Sequence, residues 1–546
     1  MYLAQKEPKP GYKYWYLEES EHTEEGTRKK FSFFLGKPER VYDLVQRPLS
    51  RLVLSTHDFG ATAALLHAVE ELRLEEILSA EVSLEGRVAM TPAQRVLMIL
   101  GARYERPASK LDTVVRWYEG SVLPLLWRCD VPHVNTVYDT MDGLTSEVRE
   151  RVKERLRARL FDRGLEPKRL IWDTTNFHTY GEVAGLRQRG RSKDGKHKCP
   201  LVGMGVLTSE EDIPLAQVVF PGNRQDAKIF EDSLPSLLNL VEEVAEDPKD
   251  VTLIFDRGCN DEDLIRLIED KTHCIGKLKR IQDPDELLRT PVDELDHLFT
   301  TDKDHEVRGL THEGEAFGRC RQIVVMWHEG TAAKKEKRLK RYREKAFEVC
   351  EDLEERVGKG GPGPDFTAKG IQREMDSLRE VEKAIDWSFD EESQSYSWEF
   401  NKDEWERLLD EAGKSLLFTS HEGWKAEDIV RAYAGKWRIE RNFRLLKGPV
   451  PLRPIYHWKD RRIGEHCFLM FILLLVHRFL MEEIRESVLE EYGIGGETVL
   501  RLLQELRLVT SKSSDTNEPE FVVEDRGAIE NAVIQSLNLE RFVPGG

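Results

Sequence analysis

The sequence predicts an α/β protein: a mixed sheet with flanking helices, interrupted by an inserted α+β region and preceded by a helical N-terminal region. Three observations carry that reading. Between Arg169 and Leu278, short apolar runs and amphipathic stretches follow in the order strand, strand, strand, helix, strand, helix, strand. Upstream, from His57 to about Arg163, apolar residues recur at helical spacing. From about Arg280 to Gly413 the texture becomes strongly charged, with a Gly/Pro break at Gly358–Pro364.

Each element has its own local signal. Tyr12–Leu17 and Arg28–Leu35 read as strands joined across the polar Glu18–Gly26, a hairpin. Ala61–Leu78, Thr91–Arg103, Lys110–Glu119 and Ser146–Leu160 show 3.6-residue spacing with few breakers, and Thr91-Pro92 is an N-cap and first-turn pair. Leu170-Ile-Trp172 is an apolar run that ends in Asp173. The basic stretch Arg187–Lys198 follows, with six Lys/Arg and one Asp. Leu201–Thr208 and Ile213–Phe220 flank the acidic turn Ser209–Asp212 and predict an antiparallel hairpin, ended by Pro221-Gly222-Asn223. Asp226–Ala245 reads as a helix, with Pro235 inside it. Val251–Phe255 is a strand ending in Asp256, Glu262–Lys271 a helix and Cys274–Leu278 a strand. In the charged region, Arg319–Trp327 and Tyr396–Phe400 read as strands, Lys334–Lys345 and Gly370–Ile385 as helices. Ser415–Ser420 returns to strand texture, and Ser487–Gly546 reads as a small α+β appendage.

The totals bound what such a chain can be. At 546 residues it has room for several domains and a large core. A net charge of -18 argues against a general polyanion binder, so any nucleic-acid contact must come from local basic stretches. The seven cysteines (Cys129, Cys199, Cys259, Cys274, Cys320, Cys350 and Cys467) are scattered without a C-x-x-C, which predicts a reducing compartment, no disulfide framework and no zinc site. Met1–Pro10 is polar, so no signal peptide is expected. The apolar run Phe468–Val476, even extended through Met481, is short for a bilayer span and reads as a buried core helix. A cytoplasmic protein with no membrane partner is expected.

The chemistry concentrates in a few residues. Asp173 and Asp256 each end a strand run. Glu440 lies in Tyr433–Lys447, which has no Pro and one Gly near its start, and so predicts a helix. At offsets 0, 3, 7 and 14, Tyr433, Lys436, Glu440 and Lys447 would share one face of it. Two strand-end carboxylates with a third from a helix suit Mg²⁺ and in-line phosphoryl displacement. Each residue also has an ordinary reading. A strand-terminal Asp commonly caps the next turn. Lys436–Glu440 and Glu440–Arg444 would be i,i+4 pairs on a solvated face. Lys334–Lys345, with eight Lys/Arg and two Glu, is either a phosphate-binding run or a solvated helix face. His178 reads as a helper near Asp173 or as a solvated loop residue, and His457 and Trp458 as DNA-proximal or packed residues.

Four blocks together carry a resemblance. They are Leu170-Ile-Trp-Asp-Thr-Thr-Asn-Phe177; Gly190-Arg-Ser-Lys193 through Phe220-Pro-Gly-Asn223; Ile254-Phe-Asp-Arg-Gly258; and Tyr433–Lys447 followed by Arg453-Pro-Ile-Tyr-His-Trp458. With them the chain resembles an insertion-sequence DDE transposase, of the group whose RNase H-like core is interrupted by a large insertion. The family signature is Tyr, two residues, Arg, three residues, Glu, six residues, Lys. Tyr433, Lys436, Glu440 and Lys447 stand at those spacings. Lys436 departs from the usual Arg, replacing a bidentate fork by a point charge, and Arg438 is the neighbouring alternative.

The resemblance implies domains, partners and a mechanism. Residues 1–45 would be an N-terminal β-hairpin region and 46–165 a helical DNA-binding domain. Residues 166–282 and 414–484 would be the two parts of the RNase H-like core, 283–413 the insertion, and 485–546 the C-terminal appendage. Asp173, Asp256 and Glu440 would be the catalytic acids and hold Mg²⁺, with Mn²⁺ as a substitute. Tyr433, Lys436 and Lys447 would contact phosphates, and the basic residues Arg187, Arg189, Arg191, Lys193 and Arg438 would bind DNA. A homodimer would pair the terminal inverted repeats. Water would free a 3′-hydroxyl, and that hydroxyl would attack target DNA, with the protein associated with the nucleoid. In some relatives an aromatic of the insertion holds a flipped base; Trp327 is the candidate here, with a packed strand residue as its other reading. An RNase H-like DNA nuclease without strand transfer, and a non-catalytic transposase-derived DNA-binding protein, are the alternatives.

Overall fold

The computed structural model describes residues 2–9, 12–23, 26–37, 52–84, 89–196, 198–278, 285–358, 366–450, 452–453, 455–513, 519–524 and 527–545. The Gly/Pro break expected at Gly358–Pro364 falls, beyond Gly358, outside them. The strands follow in chain order. β1 (Tyr2–Lys9), β2 (Tyr12–Thr23) and β3 (Gly26–Gly36) form an antiparallel sheet, so the expected hairpin is β2–β3 and β1 adds a strand to its other edge. β4 (Leu52–Asp58) precedes the helices. β5 (Arg169–His178), β6 (Leu201–Ser209), β7 (Pro214–Pro221), β8 (Thr252–Ile254) and β9 (His273–Lys277) match the α/β series. β10 (Asp296–Thr300), β11 (Glu306–Ala316), β12 (Arg319–His328), β13 (Ile385–Asp390), β14 (Ser395–Phe400) and β15 (Lys414–Thr419) follow. The tail holds β16 (Arg507–Ser513) and β17 (Pro519–Val523).

The chain divides into two compact units. One comprises Met1–Pro167, Trp172–Gln225 and Trp437–Gly546; the other comprises Lys168–Ile171 and Asp226–Lys436.

In the first unit, the helices form where periodicity predicts them, with local breaks. One helix over Ala61–Leu78 is replaced by two, Gly60–Glu71 and Leu74–Glu81, because Arg73 turns into the left-handed region at φ 50°. Thr91 caps Pro92–Glu105 in a full capping box with Gln94. Ser146–Asp162 is a single helix. β6 pairs antiparallel with β7 and lies beside β5. The tail is built into this unit. β16 pairs with both β17 and β4, and a Cβ at Gly60 would fall 2.4 Å from the Leu503 carbonyl, so that glycine permits close approach to the helix Gly496–Glu505. The core is centred on Asp460–Glu483. At 24 residues this helix exceeds the expected run and is long and apolar enough to cross a membrane by length and composition. However, 94% of its most apolar window is buried inside the protein, as in a core helix.

In the second unit the sheet order is β10-β11-β12-β15-β9-β8, and Arg169–Ile171 of β5 pair with β8. The β5/β8 and β8/β9 pairs are parallel; the others are antiparallel. The helix Glu262–Lys271 is the crossover that a parallel β8/β9 pair requires. The helix Asp226–Val244 runs through Pro235. Residues 329–410 carry a hydrophobic cluster of their own, including Leu339, Leu353, Ile371, Met375, Val381 and Leu408. The basic run expected to be helical lies in Glu329–Gly358, but the helix expected over Gly370–Ile385 ends at Asp376. A 3₁₀ turn Arg379–Ala384 follows, and Ile385 already begins β13.

Candidate active site

Asp173 does not end its strand: β5 runs on to His178 and Asp173 lies in its middle, where packing sets its direction. Trp172 is buried against Gly205, where a Cβ would come within 2.5 Å of the indole ring. Strand alternation then turns Asp173 to the other face, where it is half-buried. The Thr174 N–H donates to Asp173 Oδ1 at 2.8 Å. The basic loop is tied to the same strand. Lys193 Nζ donates to the Thr174 carbonyl (2.7 Å) and hydroxyl (3.0 Å), Asn176 Nδ2 donates to the Arg191 carbonyl (2.9 Å), and the Lys193 N–H donates to Asn176 Oδ1 (3.0 Å). Arg189, Arg191 and Lys193 are exposed, whereas Arg187 is buried.

The helix Trp437–Lys447 belongs to the same unit. Glu440 stands exposed in its first turn, where a negative charge is favoured by the helix dipole. Glu440 makes no hydrogen bond or ion pair among the described residues, so neither i,i+4 pair expected of a solvated face forms. Two anchors hold the helix. At its C-terminal end, Lys447 Nζ lies 2.8 Å from Asp194 Oδ1, and Arg453 meets Oδ2 of that carboxylate at 2.8 Å. Asp194, the one acid of the basic loop, is therefore the counter-ion of Lys447. In the middle, buried Asn442 donates to the Asp212 carbonyl (3.0 Å) and accepts from Arg478 Nε (2.6 Å). Arg438, Arg441 and Arg478 surround the Asp212 carboxylate at 3.9, 3.5 and 3.8 Å. Arg438 thus faces an internal acid.

In the second unit, Asp256 follows the buried strand β8 and caps the 3₁₀ turn Arg257–Cys259, accepting from the Arg257 N–H at 2.8 Å. The capping role and the position beyond a strand end coexist in this residue. The Tyr433 hydroxyl donates to Asp256 Oδ1 at 3.3 Å, and Lys436 Nζ lies 3.4 Å from Oδ2. Burial pushes this carboxyl up, but the Lys436 ammonium, the Arg257 N–H and Lys277 outweigh it and hold it below the usual carboxylate range.

Tyr433 and Lys436 reach Asp256 because the expected single helix does not form. Ala426–Ala434 ends, Gly435 and Lys436 make a turn, and Trp437–Lys447 begins. Tyr433, Lys436, Glu440 and Lys447 therefore do not share one helix face. Gly435, the residue with the weakest helix propensity in the stretch, sits at the break.

The structure also places the remaining candidates. His178 ends β5 and is buried rather than solvated. Burial, then Arg453, lowers its pKa. His457 is buried, whereas Trp458 is exposed. Trp327 is partly buried within β12, its backbone between Arg308 and Lys414. In the basic run 334–345, Leu339 is core, Lys335 and Arg338 pair with Glu380, and Lys334, Lys337, Lys340, Arg341 and Lys345 are exposed. Asp194, Asp212 and Asn442 were not singled out from sequence. The available signals were a lone acid in a basic run and a polar residue between the apolar Ile439, Phe443 and Leu446.

Carboxylate oxygens are the right donors for a hard divalent cation. Asp173 and Glu440 lie in the first unit and Asp256 in the second. Among the described residues no three His, Cys, Asp or Glu side chains are grouped to hold a metal ion. The chemistry of these three carboxylates fits such an ion.

The chain belongs to the transposase DDE domain family, whose model matches residues 164–476, more than half of it. That family ordinarily uses divalent metal ions. Among solved structures, the chain is similar to the cryo-EM structure of the piggyBac transposase synaptic complex with hairpin DNA. The identity is 9%, over 81% of this chain and 79% of that one, with a TM-score of 0.36. No curated protein matches the chain.

Proposed function

We propose that this chain is a DNA transposase that cleaves phosphodiester bonds at the ends of its element and joins the freed 3′-hydroxyl to target DNA. Its core is RNase H-like, interrupted by the inserted region. Asp173, Asp256 and Glu440 are the catalytic carboxylates and the ligands of Mg²⁺, or of Mn²⁺ in its place. The observation that carries the reading is the convergence on Asp256 of Tyr433 and Lys436, residues from a separate sequence block of the same family signature. A carboxylate held ionised by the Lys436 ammonium and the Arg257 N–H, with a phenol bonded to it, is prepared for work on phosphate oxygens. Exposed Arg189, Arg191 and Lys193 supply backbone contacts that the acidic chain as a whole does not. The working form is a homodimer on paired inverted repeats, acting at the nucleoid.

A strand-transfer assay tests the proposal, using DNA ends that carry the inverted repeats flanking the gene and a supercoiled target. The expected outcome is divalent-metal-dependent cleavage followed by joined product. Cleavage without joining would leave a nuclease, and binding without cleavage a DNA-binding protein.

A further inference from the structure

Three large aromatic side chains on two loops of the first unit stand in solvent. Tyr180 is 63% exposed, Tyr456 70% and Trp458 66%. Buried neighbours force them outward: Thr179, Ile455 and His457 point into the protein, so the intervening residues cannot. A bridge between Thr179 and Ile455 ties the loops together, with Thr179 Oγ1 donating to the Ile455 carbonyl at 2.7 Å. The Tyr180 and Tyr456 rings lie 6.2 Å apart. Exposed rings held in one place by buried backbone mark an interaction surface.

The charge behind the rings is positive and, among the described residues, largely uncompensated. The Arg187 guanidinium lies 6.0 Å from the Trp458 ring, and its Nε and Nη1 are buried with no hydrogen-bond partner among the described residues. Arg103, within electrostatic reach of Tyr456, and its neighbour Lys110 make no hydrogen bond or ion pair among the described residues. Burial and then Arg103 bring Lys110 down to about 7, and burial with Lys110, Arg103 and Arg462 brings His457 down to about 3. The acids on these loops, Glu182 and Asp460, are exposed.

A polyanion with aromatic faces satisfies both features. Duplex DNA keeps its base faces inside the stack, so exposed rings gain only from bases that are unpaired. We propose that Tyr180, Tyr456 and Trp458, backed by Arg187, Arg103 and Lys110, form a platform for an unpaired DNA strand, with rings stacking on bases and the positive charge behind them attracting phosphates. This rests on the reading of the chain as a DNA-processing protein.

The test uses the full chain and fluorescence anisotropy, comparing a blunt duplex with the same duplex carrying a short oligothymidine extension. The wild type is expected to bind the extended DNA about tenfold more tightly. The double variant Tyr456→Ala/Trp458→Ala should lose that preference and keep its blunt-duplex affinity, which also reports that it is folded. Trp458→Phe should retain most of the preference, because a flat ring remains. Arg103→Gln should lower the salt slope for the extended DNA by about one. Blunt-duplex binding without a preference, or a preference that survives the double variant, overturns the platform alone. If the wild type binds neither DNA, the platform and the DNA-processing reading fall together.

Discussion

Lys436 Nζ lies 3.4 Å from Asp256 Oδ2, and Tyr433 donates to the other oxygen of the same carboxylate from 177 residues away in sequence. Local sequence pairs Lys436 with Glu440, one turn on. The fold gives it to Asp256 instead, because the turn at Gly435 and Lys436 redirects it.

Lys436→Ala should therefore remove the main counterweight to burial at Asp256 and raise its carboxyl pKa, readable by NMR. DNA-end cleavage should fall about tenfold or more. Lys436→Arg should keep both, since it restores a cation with a carboxylate-matching fork. An alanine variant as active as the wild type would remove Lys436 from the site.

Asp173→Asn, Asp256→Asn and Glu440→Gln should each lower cleavage and joining by about 100-fold or more while DNA affinity, measured by gel shift, holds. Full activity in any one would exclude that residue from the catalytic set.

Asp194 neutralises Lys447 and Arg453. Asp194→Asn should release two cations, strengthen duplex binding and steepen its salt dependence by about one to two in log–log slope. An unchanged slope in a salt titration would mean that these cations do not face DNA.

Asn442 is fully buried and bonds both the Asp212 carbonyl and Arg478. Asn442→Leu should cost about 2–3 kcal/mol in urea unfolding, because it takes a buried hydrogen-bond partner from Arg478 Nε and from the Asp212 carbonyl. A loss well under 1 kcal/mol, on that same scale, would show that the network is dispensable.

Glu105 is buried, with its Oε2 accepting from the Thr62 N–H and hydroxyl, both at 2.7 Å. Burial and then Asp58 push its carboxyl from 4.5 up to about 8, against the pull of Thr62 and Arg507. A raised carboxyl stabilises the fold fully below the unfolded value and loses that contribution as pH rises through the folded value. The stability advantage of Glu105→Gln over the wild type should thus grow from about pH 4.5 to about pH 8, followed by urea unfolding across that range. A constant difference would mean that Glu105 is not protonated in the fold.

Much of this was legible in the chain. Strand-like runs on either side of an acidic turn marked β6 and β7, apolar runs marked β5, β8, β9 and β15, and the Thr91-Pro92 pair marked a helix start. These signals are local: side-chain periodicity, capping chemistry and turn residues report the burial and backbone of a few neighbours. What escaped was nonlocal. β4 was not recognised because its partner β16 lies some four and a half hundred residues on, at Asp58↔Arg507, and a short strand away from its sheet has weak local character.

By itself, the sequence determined many of the strands and helices, that Asp256 follows a strand and Glu440 sits on a helix, and that basic charge gathers in a few runs. Only the tertiary structure decided the partners of those charges: Asp256 for Lys436, Asp194 for Lys447 and Asp212 for Arg438. It also broke the Tyr433–Lys447 stretch in two, so that its residues serve two packing environments. The reason is physical. Helix and strand preferences are summed over adjacent residues, whereas an ion pair is chosen by distance and desolvation in three dimensions, and those depend on the whole fold.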